Sequence, residues 1–472
     1  MAEPFLFRPD PPCLDALVEA PAEGAPAVPL IPIRTDALEA WLAEQPPERA
    51  AWVRAAGFTG RAGAVCPLPG DGGTRAGVLV GLGDGDDPWA LAGLPRALPA
   101  GAYALADGDG ADLAETAALA WALGAYRFDR YKTAPGDPPA RLVWPAGVGR
   151  AAVRRRVAAV AWVRDLVNTP AADLGPAELA AETRALAEHH GARFHEIVGD
   201  ALPAENWPAV YAVGKGSARA PRLLDLRWGD AARPRVTLVG KGVVFDSGGL
   251  DLKPASAMLV MKKDMAGAAH ALGLAHMIMD AGLPVCLRVL IPAVENMVSG
   301  TSFRPRDVLA TRKGLTVEVG DTDAEGRLVL ADALAEADGE RPALLLDMAT
   351  LTGGVALGPN ISALFTRHDA LAADLLDAAT AVDEPVWRLP LHVPYRAMLD
   401  STVADISSTG SGRLGGAITA ALFLAEFVSP ETPWAHLDLY AWNPKTKPGR
   451  PEGGAVQGLT ALYGLIERRF GA

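Results

Sequence analysis

The chain has 472 residues, half of them hydrophobic and 21% charged, which is the balance of a folded globular protein and more than one ordinary core can hold. Its 44 basic residues against 56 acidic leave a formal net charge of -12, which argues against nucleic acid or an anionic membrane as the main partner. Cys13, Cys66 and Cys286 are too few and too far apart for a disulfide framework or a zinc-finger spacing.

Residues 1–147 read as a smaller α/β domain. Ala27 to Ile33 is an apolar candidate strand, and Asp36 is placed to cap a helix through Trp41 and Leu42. Val78 to Gly83 is a second strand that breaks at a glycine-aspartate turn, Leu113 to Leu123 an alanine-rich helix, and Arg141 to Trp144 a last strand. The aspartates at 84, 86 and 87, and again at 107, 109 and 112, resemble fragments of calcium loops. Neither group has the closing glutamate, so both read as solvated turns. Nothing in this half assembles a reactive group. A helix over 149–166 follows, stopped by Asn168-Thr169-Pro170, and the domain boundary is set near residue 147.

Residues 148–472 alternate more plainly. Candidate strands lie at 235–240, 285–293, 315–320, 343–349 and 435–440, and candidate helices at 264–280, 326–337, 369–381, 416–428 and 458–469. That alternation predicts a larger α/β domain whose central sheet is mixed but mostly parallel, flanked by helices. In such sheets the ligand crevice lies outside the carboxyl ends of the strands. Lys241, the run Asp321 to Arg327, and Thr350 to Gly353 each follow a candidate strand, so three loops are expected to face one crevice.

The charges in those loops are chemically suggestive. Asp323 and Glu325 are two residues apart and, if extended, project to one side. Asp246 follows a strand-loop and Asp264 begins a helix. Four carboxylates cannot share a buried crevice ionised without cations to offset them. Lys241, Lys253 and Arg327 supply part of that charge, and divalent metal, two ions more naturally than one, would supply the rest. Spacing alone leaves solvated loops as the other reading. None of the eight histidines lies in the acid-bearing loops, and Phe245 stands where a nucleophile elbow around Ser247 would need glycine.

At this point the residues resemble a known family. Asp321-Thr322-Asp323-Ala324-Glu325-Gly326-Arg327-Leu328 is similar to the signature of the leucyl aminopeptidase (cytosol aminopeptidase) family of two-metal peptidases, differing only at its first position, an asparagine in the family. The segments Gly240 to Gly249, Lys253-Pro254 and Met261 to Met265 resemble the family's other metal-site segment. Val294 to Met297, Arg304 to Val308, Ala349 to Gly353 and Gly415 to Thr419 extend the resemblance in order. It implies release of N-terminal residues from peptides or aminoacyl amides, with a leucine-like preference, by attack of a metal-bridging water. Lys241, Asp246, Asp264 and Glu325 would hold one ion, and Asp246, Asp323 and Glu325 the other. Lys253 would polarise the scissile carbonyl, and Arg327 would orient the gem-diolate or hold a bicarbonate acting as base. Asp264 would also take the substrate α-amine, while Met261, Thr350, Leu351 and Gly353 would line the first side-chain pocket. Zinc or manganese is implied, with magnesium or cobalt as alternatives, and a homohexamer with peripheral N-terminal domains.

Asp321 in place of the asparagine is expected to act behind the ligands. The competing expectation from another class is a non-catalytic hexameric scaffold, or a DNA-binding regulator, that keeps the fold; Lys253 and Arg327 argue against it because a scaffold needs neither. With no basic-then-apolar leader after Met1 and no uncharged apolar run of about 18 residues, the chain is expected to be cytoplasmic.

Overall fold

A computed structural model describes residues 7–20, 26–85, 87–106, 113–134, 136–352, 357–412 and 414–471. The chain divides into two compact units: residues 8–161 with 445–452, and residues 1–7, 162–444 and 453–472. The division falls inside one long helix, Arg150–Asn168, here α1, rather than near residue 147.

The smaller unit is built on a six-stranded sheet in the order Leu17–Val18, Arg141–Val143, Ala102–Leu105, Val28–Arg34, Arg75–Gly83, Val65–Pro69. All its pairs are parallel except the last. The helix beginning at Leu38 has Ala37 at its cap and no side-chain cap; Asp36 instead accepts from Arg34 Nε at 3.1 Å, which corrects the expected cap. The expected helix at 113–123 forms as Ala114–Ala125. Asp86, Asp107, Asp109 and Asp112 lie outside the described residues.

The larger unit carries a nine-stranded mixed sheet. Its strands are β1 (Arg193–Val198), β2 (Arg222–Trp228), β3 (Arg235–Gly240), β4 (Gly242–Asp246), β5 (Cys286–Asn296), β6 (Leu344–Ala349), β7 (Ser362–Phe365), β8 (Val386–Arg388) and β9 (Trp434–Asp438). The order is β8-β7-β9-β6-β3-β5-β2-β1, with β4 pairing the outer end of β5. Pairings among β9, β6, β3, β5 and β4 are all parallel, so these strands end at one edge. β3 and β6 are mostly apolar and buried on both faces, as a parallel sheet covered by helices requires, with Asp347 of β6 bonded to His436 and Trp434.

Helices α2 (Pro176–His190), α3 (Pro208–Gly214), α4 (Ala266–Asp280), α5 (Glu325–Gly339), α6 (Asp369–Ala381), α7 (Gly416–Ala425) and α8 (Leu459–Phe470) cover this sheet. α4 packs on β3 and β6, while α5 packs on the opposite face with α3 and α7, over a core including Val239, Leu290, Leu345, Leu328 and Phe423. Alternation along the strands separates the two faces: Val239 belongs to the α5 core, and a side-chain carbon on Gly240 would meet Ala268 of α4 at 2.6 Å.

One expected strand takes a different place. Residues 315–320 contribute only Thr316–Glu318, which pairs with Val308–Ala310 and Ile406–Ser407 in a separate three-stranded sheet. The loop after Glu318 nevertheless reaches the crevice, through α5.

Candidate metal centre

The site is built at the carboxyl edge of the parallel strands. Lys241 follows β3, Asp246 ends β4, and Thr350 follows β6. Asp264 sits in a 3-10 turn, Met261–Met265, that leads into α4 and packs against β4. Asp323 and Glu325 are not held by an extended segment. Asp323 lies in a 3-10 turn, Thr322–Ala324, and Glu325 opens α5, so a tight turn rather than strand alternation brings them together. Glu325 at the first position of α5 also gains from the partial positive charge of the helix start.

Lys241, Asp246, Asp264 and Glu325 are all buried. Lys241 Nζ lies 2.8 Å from Asp264 Oδ2 and 2.9 Å from Glu325 Oε1, and donates to the Thr350 carbonyl at 3.1 Å. Lys253 Nζ lies 2.8 Å from Asp246 Oδ2 and also pairs with Asp323 Oδ1. Thr350 Oγ1 donates to Asp264 Oδ1 at 2.7 Å. Gly326 permits this packing, since a side-chain carbon there would lie 2.5 Å from Lys241 Cε and 2.6 Å from its Nζ.

Burial and mutual repulsion dominate the titration of these groups. Burial, then the neighbouring Asp246 charge, pushes Glu325 well above the ordinary carboxylate range, against the pull of Lys241. The same two causes raise Asp323 to about 7 despite Lys253. Burial alone would lower both lysines, but the carboxylates facing them outweigh it and hold Lys241 and Lys253 above the ordinary lysine value. Burial lowers Arg327 to about 10, opposed by Glu325, Asp438 and Asp321.

The donors fit a divalent cation. One oxygen from each of Asp246, Asp323 and Glu325 lies within 4.8 Å of the other two. Both oxygens of Glu325, Oδ2 of Asp264 and Oδ1 of Asp323 are buried without a well-formed hydrogen bond, and lysine ammonium groups are the cations that approach them. Hard oxygen donors left in this state are what a divalent ion takes up.

The other expected site residues surround this group. Arg327 donates through Nη1 to the Ser408 carbonyl at 2.7 Å, and its Nε is buried without a hydrogen bond. Met261 is half-buried at the start of the 3-10 turn. The Leu351 and Thr352 amides donate to Asp438 Oδ1 at 2.9 and 3.2 Å, which ties the loop after β6 to the end of β9. Gly353 lies outside the described residues. Asp321 accepts from the Asp323 amide at 2.8 Å and so caps the turn. An asparagine carbonyl could make the same bond, which explains why either residue serves at that position.

Four participants escaped the sequence reading. Asn296, Asp251 and Thr322 brace the ligand loops from behind, and buried Lys263 donates to the Tyr440 carbonyl at 2.7 Å. Thr322 and Asn296 stood inside the matched motifs, but their importance rests on long-range contacts that spacing does not reveal.

A model of the cytosol aminopeptidase family catalytic domain matches residues 161–463, and one of the M17 aminopeptidase N-terminal domain matches residues 28–145. The chain belongs to the cytosol aminopeptidase family. As a cytosol aminopeptidase it is a metal-dependent exopeptidase, a hydrolase. It is 41% identical over 445 residues, 88% of each chain, to a probable cytosol aminopeptidase of Leifsonia xyli. It is 42% identical over 365 residues, 73% of each chain, to one of Syntrophotalea carbinolica. A crystal structure of the cytosol aminopeptidase from Coxiella burnetii superposes with a TM-score of 0.92 at 47% identity, covering 97% of this chain and all of that one. The bottromycin maturation enzyme BotP in complex with Mn gives 0.85 at 36% identity, covering 94% and 100%. Among the described residues no helix is long and apolar enough to cross a membrane.

Proposed function

We propose that this cytosol aminopeptidase releases N-terminal residues, leucine-like ones preferentially, from peptides in the cytoplasm, as a homohexamer with two divalent ions per subunit. The observation that carries this reading is the gathering of Asp246, Asp264, Asp323 and Glu325 around two lysines at one sheet edge. Lys241, Asp246, Asp264 and Glu325 would hold one ion, and Asp246, Asp323 and Glu325 the other. Manganese is favoured by the Mn complex of BotP, and zinc is the alternative. When bound, such a pair supplies Lewis acidity and a nucleophilic water near neutral pH.

The chain's own groups divide the remaining work. Lys253 donates to the oxygen that gains charge as the scissile carbonyl is attacked. Asp264 accepts from the substrate's α-amine, which restricts cleavage to the chain end. Arg327, whose Nε is buried without a hydrogen bond, would orient the gem-diolate or hold a bicarbonate that would supply a general base. Lys241 gives up its own proton when it becomes a ligand. Met261, Thr350 and Leu351 would line the pocket for the first side chain. A non-catalytic scaffold would have no use for paired lysines over three buried carboxylates and the half-exposed Asp323.

The test is hydrolysis of leucyl-p-nitroanilide by metal-loaded protein, its loss on chelation, and its loss in Glu325→Ala. Turnover by Glu325→Ala at the parent rate would sink the two-ion assignment.

A further inference from the structure

Asn296 ends β5, fully buried, in register with Asp246 at the end of β4. Its side-chain amide donates twice, to Asp246 Oδ1 at 2.8 Å and to the Thr322 carbonyl at 3.0 Å. The first acceptor belongs to the carboxylate shared by both proposed ions. The second belongs to the turn that presents Asp323. One planar amide therefore spans the two ligand-bearing segments. Its backbone carbonyl accepts from the Ser247 amide at 3.1 Å and from Ser247 Oγ at 2.7 Å, which holds the loop leading to Lys253.

The amide's orientation is forced. Turned over, its oxygen would face a carboxylate and a carbonyl. In the orientation adopted, Oδ1 is buried without a hydrogen bond, and a side-chain carbon on Gly249 would come within 2.8 Å of it. Gly249, at φ +67°, is the residue that lets the loop close over this face. A buried unsatisfied acceptor is unfavourable, and the geometry retains it because both donors are in use.

The consequence for Asp246 is specific. Asn296 and the Gly248 amide, at 2.9 Å, both donate to Oδ1, so Oδ2 is the oxygen turned toward Lys253 and Asp323. A second tie runs alongside, from the Thr322 amide to Asp251 Oδ2 at 2.8 Å and from the Asp251 amide to Thr322 Oγ1 at 2.8 Å.

We propose that Asn296 is a positioning residue that sets the separation of Asp246 from Asp323, and so the affinity of the ion those two carboxylates share with Glu325. The inference rests on the two-ion reading given above. The ion held with Lys241 and Asp264 depends on it less, because those residues hang from β3 and the turn before α4.

The experiment is calorimetric titration of the chelator-stripped full-length protein with Mn²⁺, for the parent, Asn296→Ala and Asn296→Ser. Two binding events are expected in the parent. In both variants one event weakens by about 10–100-fold, the usual range for a lost partner behind a metal ligand, while the other weakens less. Leucyl-p-nitroanilide hydrolysis by the variants, lost at low Mn²⁺, returns when Mn²⁺ is raised. Asn296→Ser preserves a small polar side chain and decides the matter if Asn296→Ala does not fold. Isotherms matching the parent's would overturn the inference and leave the two-ion reading standing. Equal weakening of both events, with no rescue by Mn²⁺, would reduce Asn296 to a general structural role. A parent that takes up no Mn²⁺ and cleaves no aminoacyl amide would remove the two-ion reading, and this inference with it.

Discussion

Lys253 shows how one side chain can serve two opposed purposes. In the metal-free arrangement its ammonium offsets Asp246 and Asp323, and the carboxylates hold it charged. With an ion between those carboxylates, the same ammonium would compete for them and, on the proposed reading, would donate to the reacting carbonyl. Lys253→Met should therefore separate the two effects. Loss of the oxyanion donor is expected to lower kcat by about 10²–10³-fold. Affinity for Mn²⁺, measured by calorimetry, is expected to rise because no internal cation has to be displaced. A variant that binds metal more weakly than the parent would contradict this account. Asp321 makes the complementary point. Its difference from the family asparagine leaves the capping bond to the Asp323 amide available, and the added charge faces Arg327 rather than a ligand.

At the scale of elements, α5 does most to place the site, and its position is fixed from the far side by Asp332. That buried carboxylate accepts from the Ala209 and Val210 amides at 2.9 and 3.3 Å, at the start of α3, and from the Arg312 amide at 2.8 Å. A side chain on one helix thus caps another. Burial raises Asp332 from 3.8 to about 7, against those three hydrogen bonds. The folded state then holds a proton that the unfolded state gives up across that window, so stability falls as pH rises from about 4 to about 7. Urea unfolding of the parent between pH 4 and 8 should show this downward slope, and Asp332→Asn should flatten it. An identical slope in the variant would assign the effect elsewhere.

The same scale shows what the sequence made legible. The buried parallel strands, β3, β5, β6 and β9, stood out because runs such as Leu344 to Leu346 and Val289 to Ile291 are apolar throughout. The outer strands β1, β2, β7 and β8 did not, being short or alternating with charged residues such as Arg193, Glu196 and Arg222. Residues 315–320 misled because Thr316 to Val319 has strand propensity, and propensity cannot say which sheet a strand joins. Asp323 and Glu325 were rightly paired for the wrong local reason, a turn instead of an extended segment. Asn296 and Asp251 were invisible as site residues because their partners lie 50 and 71 positions away along the chain.

For the molecule as a whole, the balance of charge at the crevice bears on folding. Four carboxylates meet two lysines there, and the core beneath them, on both faces of β3 and β6, is closed and largely apolar, with Thr237 and Asp347 among its buried polar side chains. Folding thus does not wait for metal, unlike small domains whose only core is the ion. Protein stripped with a chelator should keep its near-ultraviolet circular dichroism and unfold cooperatively. Its Tm should then climb with added Mn²⁺, since the ion binds the folded state alone. Loss of the near-ultraviolet signal on chelation would refute this. Lys241 and Lys253 make the crevice in effect an ion exchanger supplied with its own counter-ions. On the two-ion reading, loading would be a swap, with Lys253 moving aside and Lys241 shedding a proton, so alkaline conditions would favour it and acid would reverse it. The protein would, on that reading, surrender its ions and regain them without passing through an unfolded chain.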